Sequence, residues 1–190
     1  MKNYDLTENE KSVLLKIARK SIEDSFNRSK DLYINSKDLI SSLTDNLKAD
    51  AGVFVTLKTK GEQLRGCIGN FNFNIPVYQN VYNMAKEAAF SDPRFMPIDA
   101  AELKNVKIEI SVLTPLQKID DLEKIEIGKH GLYIIKNGRH GVLLPQVAAE
   151  NDMDRRQFLE AVSMKAGLPP DAYKQGAEIL IFSAIVFGEN

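Results

Sequence analysis

In this chain of 190 residues, 25 Lys and Arg stand against 26 Asp and Glu, a formal charge of −1, which excludes nucleic-acid binding through bulk positive charge. With 44% hydrophobic and 27% charged residues the composition is that of a folded protein, and no apolar run approaches the ~20 residues of a membrane span. A single cysteine, Cys67, rules out an intramolecular disulfide and multi-cysteine zinc sites.

The length predicts one domain over 1–190, or two subdomains sharing a core, and the first residues hold no apolar signal core, which predicts a cytoplasmic protein. Thr7 and Glu10 have the spacing of a capping box. Leu14, Ile17, Ala18, Ile22 and Phe26 follow at helical spacing and predict a first helix over 8–26. Residues 27–50 are polar, anchored by Leu32, Ile34, Leu39, Ile40 and Leu43, and read as a loop and a short helix. Val53, Val55 and Leu57 then alternate with Phe54, Thr56 and Lys58, the pattern of a strand. Lys60-Gly61-Glu62 is a turn, after which Gln63 to Ile68 returns as the hairpin partner.

Pro76 opens a helix over 76–90 whose stripe is Val77, Val81, Met84, Ala85 and Ala88, and Ser91-Asp92-Pro93 ends it. Val106, Ile108, Ile110 and Val112 mark a half-buried strand. Residues 132–136 and 139–144 flank Asn137-Gly138, which supplies a type I′ turn and sets Lys136 opposite Arg139. Residues 154–166 read as a helix with Phe158, Leu159 and Val162 inward and Gly167 at its C-terminal cap. Ile179 to Val186 reads as one buried strand. The whole is a mixed α/β (α+β) chain with a mainly antiparallel sheet flanked by helices.

The segment Leu64-Arg65-Gly66-Cys67-Ile68-Gly69 asks for a chemical reason. In an extended strand Arg65 and Cys67 share a face, roughly 7 Å apart. A guanidinium beside a thiol favours the thiolate, the nucleophilic form. Gly66 and Gly69 weaken a strand and mark a bulge or a close approach by backbone or ligand. The bland alternative is a buried Cys67 acting as a small hydrophobe. Asp92 and Arg94 offer an acid and a base around Pro93, or simply pair with each other. Glu109 lies in the polar phase of its strand, by default a solvated or cross-strand charge.

The hairpin register puts His140 opposite Ile135, and the odd offset from His130 turns the two imidazoles to opposite faces, roughly 16 Å apart. No shared metal is expected. His130 opens the hairpin and is the better candidate for function; His140 beside the turn is expected to be exposed. Gln146, after Pro145 at a strand end, either orients a substrate or caps the next segment. Dinucleotide and Walker loops, His-Glu-x-x-His and Gly-x-Ser-x-Gly are all missing from the sequence, so no cofactor is expected.

These residues resemble a known family. The hexapeptide 64–69 is similar to the signature of the AMMECR domain family, whose prokaryotic members are called AmmeMemoRadiSam system protein A. Ser91-Asp92-Pro93-Arg94-Phe95, Ile110-Ser111-Val112-Leu113-Thr114, His130-Gly131-Leu132, Leu144-Pro145-Gln146-Val147-Ala148 and Lys165-Ala166-Gly167-Leu168 resemble further family blocks in order. The resemblance implies a mixed α/β fold with a larger and a smaller subdomain. It also implies a catalytic or binding role for Arg65 and Cys67 with Asp92, Arg94 and His130 as neighbours, and a pathway shared with Memo-like and radical-SAM proteins. Met153 stands where members often have Trp.

Three functions follow as expectations. In the first, Cys67 is the nucleophile of an enzyme-like site, Arg65 tunes it or holds a small anionic substrate, and His130 or Asp92 handles protons. In the second, the chain is a non-catalytic module that presents a cleft to a partner protein. Nucleotide or nucleic-acid binding is the third.

Overall fold

The computed structural model describes residues 5–27 and 32–189. In chain order its elements are α1 (Glu8–Phe26), α2 (Lys37–Ser42), α3 (Asp45–Lys48), β1 (Val53–Thr59), β2 (Leu64–Asn70) and α4 (Val77–Phe90). There follow β3 (Val106–Leu113), β4 (Gln117–Ile119), β5 (Gly131–Lys136), β6 (Arg139–Leu143), α5 (Pro145–Glu150), α6 (Arg155–Lys165), β7 (Glu178–Phe182) and β8 (Ala184–Gly188). The fold is mixed α/β with two antiparallel sheets flanked by helices, and no helix among the described residues is long and apolar enough to cross a membrane.

The chain divides into two compact units, one of residues 1–113 and 185–190, the other of residues 114–184. In the first, the strand order is β2-β1-β3-β8. Val53, Val55 and Leu57 of β1 and Ile108, Ile110 and Val112 of β3 share a core with Leu14, Ile17 and Ile22 of α1 and Val81, Ala85 and Ala88 of α4. Each Val, Leu and Ile side chain among them contributes about 1.5–3 kcal/mol by leaving water. The predicted capping box starts α1: Thr7 Oγ1 accepts the Glu10 N–H, and Glu10 Oε2 accepts the Thr7 N–H at 2.9 Å.

Two expectations are refined here. The stretch 27–50, of which 28–31 lie outside the described residues, forms two short helices and a 3-10 turn rather than a loop and one helix. Ser36 and Thr44, polar residues that read as loop, are the caps of α2 and α3. The apolar run 179–186 is two strands in two sheets, because the chain breaks at Ser183. The Ser183 N–H donates to Thr114 Oγ1 at 2.8 Å, and the Ser183 carbonyl accepts the Thr114 N–H at 2.9 Å.

The second unit holds the sheet β4-β7-β5-β6. Asn137 (φ 52) and Gly138 (φ 76) make the tight turn of the β5–β6 hairpin, with Lys136 opposite Arg139 and Ile135 opposite His140 as the sequence predicts. Leu132, Ile134, Ile179 and Ile181 face Phe158, Leu159 and Val162 of α6. α6 comes close at Gly141, where a Cβ would lie 2.7 Å from the Ala166 nitrogen.

Candidate functional site

β2 is an edge strand of the first sheet and carries the hexapeptide. Its pairing with β1 runs evenly from Val53↔Asn70 to Leu57↔Gly66, then jumps to Lys58↔Leu64, so Arg65 is the extra residue of a β-bulge. A bulge bends its strand and re-aims the side chain it carries. Gly66 is a close approach: a Cβ there would sit 2.3 Å from the Ala88 carbonyl oxygen of α4. Gly69 is filled from above by Phe54, whose ring would be 2.2 Å from an added Cβ. Past the hexapeptide, Asn70 and the buried Asn80 of α4 exchange amide hydrogen bonds at 2.9 and 3.0 Å, and Asn80 Nδ2 donates to the Ala51 carbonyl at 2.8 Å.

The re-aimed Arg65 guanidinium is held by Glu102 through Nε and Nη2, and Nη2 also donates to the Met96 carbonyl at 2.9 Å. Its Nη1 is buried and has no hydrogen-bond partner among the described residues. Arg65 is therefore tied to Glu102 and to the Met96 carbonyl. Asp92, 5% exposed, is saturated. Its Oδ2 accepts the Cys67 N–H at 2.8 Å and Arg94 Nη2 at 2.7 Å, and its Oδ1 accepts Arg94 Nε at 2.9 Å and the Arg94 N–H at 3.1 Å. The Arg94 guanidinium, together with the N–H groups of Cys67 and Arg94, holds this carboxyl well below the usual carboxylate range against the opposing effect of burial. Asp92 is thus held as the carboxylate by the groups that donate to it.

Arg94 is half exposed and also reaches the Cys67 carbonyl from Nη2 at 3.4 Å. Its hydrogen bonds to Asp92 raise the affinity of the guanidinium for its own proton, against the opposing effect of burial. Arg65 and Arg94 both sit over the Phe95 ring, at 5.7 and 5.5 Å from its centroid. Cys67 itself is half-buried, with Thr56 Oγ1 donating to Sγ at 3.2 Å. Thr56 lies between Cys67 on β2 and Glu109 on β3, and Glu109 is paired with Lys58 at 2.7 Å.

Arg65, Gly66, Cys67, Gly69, Asp92 and Arg94 thus come together in the first unit. His130 and Gln146 belong to the second. There His130 Nδ1 accepts the Glu126 N–H at 3.1 Å, and Gln146, in the first turn of α5, has a buried Oε1 with no hydrogen-bond partner among the described residues. His140 is exposed and stacks on Tyr133 at 5.9 Å. No three His, Cys, Asp or Glu side chains among the described residues converge as a metal site requires.

Thr56 and Glu102 were not expected in this cluster. Strand alternation signals the first, since Thr56 lies in the phase of β1 opposite to the core. Glu102 lies 37 residues from Arg65 and has no local signal.

Several proteins are similar to this chain in sequence, and one solved structure is similar in fold. A Methanosarcina mazei protein is 41% identical, covering 97% of this chain and 94% of its own length. Protein NEQ441 of Nanoarchaeum equitans is 41% identical over 93% of this chain and 99% of its own. An Aquifex aeolicus protein is 43% identical over 78% and 80%. The crystal structure of the uncharacterized protein PH0010 from Pyrococcus horikoshii superposes with a TM-score of 0.79 at 34% identity, covering 93% of this chain and 90% of that one. Residues 15–187 match the AMMECR1 family, so the chain that builds this strand-edge cluster is a member of it.

Proposed function

We propose that this protein is enzyme-like, that its reacting group is the Cys67 thiol, and that its reactant is a small anionic molecule. One observation carries the reading. Cys67 is left half-buried rather than packed into the core, while its backbone is immobilised, the N–H by Asp92 and the carbonyl by Arg94. Fixing the attacking atom through its scaffold is how a site preorganises a nucleophile. The sulfur forms a bond to an electrophilic centre of the reactant, the leaving group departs with its bonding pair, and the thiol proton passes to water. Arg94 spends Nε and Nη2 on Asp92, so Nη1 is the donor left for an anion. Arg65 belongs to the scaffold. A pathway shared with Memo-like and radical-SAM proteins remains part of this reading through the family resemblance.

A second reading is a non-catalytic module that offers this surface to a partner protein. It draws on the fact that both guanidinia already hold carboxylates. Alkylation by iodoacetamide at neutral pH separates the two. Cys67 reacting faster in the folded protein than in the urea-unfolded chain supports the thiol site; a slower folded thiol overturns it in favour of the module.

A further inference from the structure

Thr56 and Cys67 face each other across β1 and β2. The Cys67 N–H turns away from β1 to Asp92, so this is a pair that exchanges no backbone hydrogen bonds, the kind in which side chains approach most closely. That geometry lets the Thr56 hydroxyl donate to the sulfur at 3.2 Å. A hydroxyl suits this task, because it donates a hydrogen bond to an anionic sulfur, keeping its own proton, without bringing a charge that must itself be solvated. The charged groups around the pair in the first unit are Arg65 on β2, Lys58 on β1, Glu109 on β3, and Asp92 and Arg94 after α4. Each has a partner: Arg65 with Glu102, Lys58 with Glu109, and Asp92 with Arg94. The hydroxyl is thus the neutral donor held directly against the sulfur.

We infer that Thr56 is a catalytic residue of this site, its hydroxyl stabilising the Cys67 thiolate as it attacks. The inference rests on Cys67 being the reacting group. The test is the rate of alkylation by iodoacetamide from pH 6 to 10 in the full-length wild type, Thr56→Val and Thr56→Ser. Val has the shape of Thr and suits a strand, so the sheet is kept. Near neutral pH, Thr56→Val should react about tenfold more slowly, the effect of losing one hydrogen bond to a charged group. It should converge on the wild-type rate at alkaline pH, and Thr56→Ser should restore the wild-type profile. A valine variant that matches the wild type at every pH overturns the inference, and so does one slowed by the same factor throughout. If the folded wild type reacts no faster than its unfolded chain, Cys67 is not the reacting group, and the inference falls with it.

Discussion

The buried carboxylate of Asp92 accepts the backbone N–H of Cys67 at 2.8 Å, taking the place that a neighbouring strand would have at the open edge of β2. Its partner Arg94 completes the substitution by donating to the Cys67 carbonyl at 3.4 Å. A side-chain pair here does the work of a strand and closes the edge to further pairing at that residue.

Asp92→Asn should therefore destabilise the protein by about 1–3 kcal/mol, since it removes the charge of the buried acceptor that holds the Cys67 N–H and the half-exposed Arg94. The folded carboxyl titrates below its unfolded value, so its contribution is fully present above pH ~4 and is lost as pH falls toward the folded value. Urea denaturation of wild type and variant between pH 7 and 3 checks both points. The gap between the two midpoints should be widest at pH 7 and shrink below pH 4; a gap independent of pH contradicts the assignment.

Gly66→Ala should cost about 1–3 kcal/mol, because the new Cβ meets backbone of α4 rather than a side chain able to swing aside. Gly61→Ala, whose Cβ would be 3.8 Å from Thr59 Oγ1, is the matched control in the same hairpin and should change little. Equal denaturation midpoints for the two variants would contradict the close approach.

Iodoacetate and iodoacetamide transfer similar groups and differ by one charge. If Arg94 meets anions, the folded protein should prefer iodoacetate about two- to fivefold more than its unfolded chain does, the scale of a single partly screened charge. Arg94→Gln should abolish that preference, whereas Arg65→Gln should keep it and lower stability instead. Loss of the preference in Arg65→Gln alone would reverse the roles of the two arginines.

At the β5–β6 turn, Gly138→Ala should lose about 1–2 kcal/mol, the cost of forcing a side chain into the left-handed region. Asn137→Gly should be close to neutral, because glycine takes positive φ freely. Thermal denaturation of the two variants orders them; a stable Gly138→Ala would mean that the hairpin changes its turn.

The parts legible in the sequence are those with local causes. The Thr7–Glu10 cap and the Asn137-Gly138 turn each lie within a few residues, and the second even sets the register of His140 against Ile135. The run Ile179 to Val186 misled for a physical reason: apolarity reports burial, not which sheet provides it, and the break depends on Thr114, far away in sequence. At the site, Gly66 and Gly69 announced close contacts, and Asp92 with Arg94 announced a pair. The partner of Arg65 was hidden, because strand alternation assumes an even ladder and the bulge at Arg65 breaks it.

The hydrogen bonds between Thr114 and Ser183 lie at the two points where the chain leaves the first unit and re-enters it. The chain between β3 and β8 is thus an excursion launched and recovered at one doorway, inserted between two strands of the sheet that holds Cys67. Lengthening, trimming or exchanging that excursion leaves the connectivity of β1, β2 and β3 untouched.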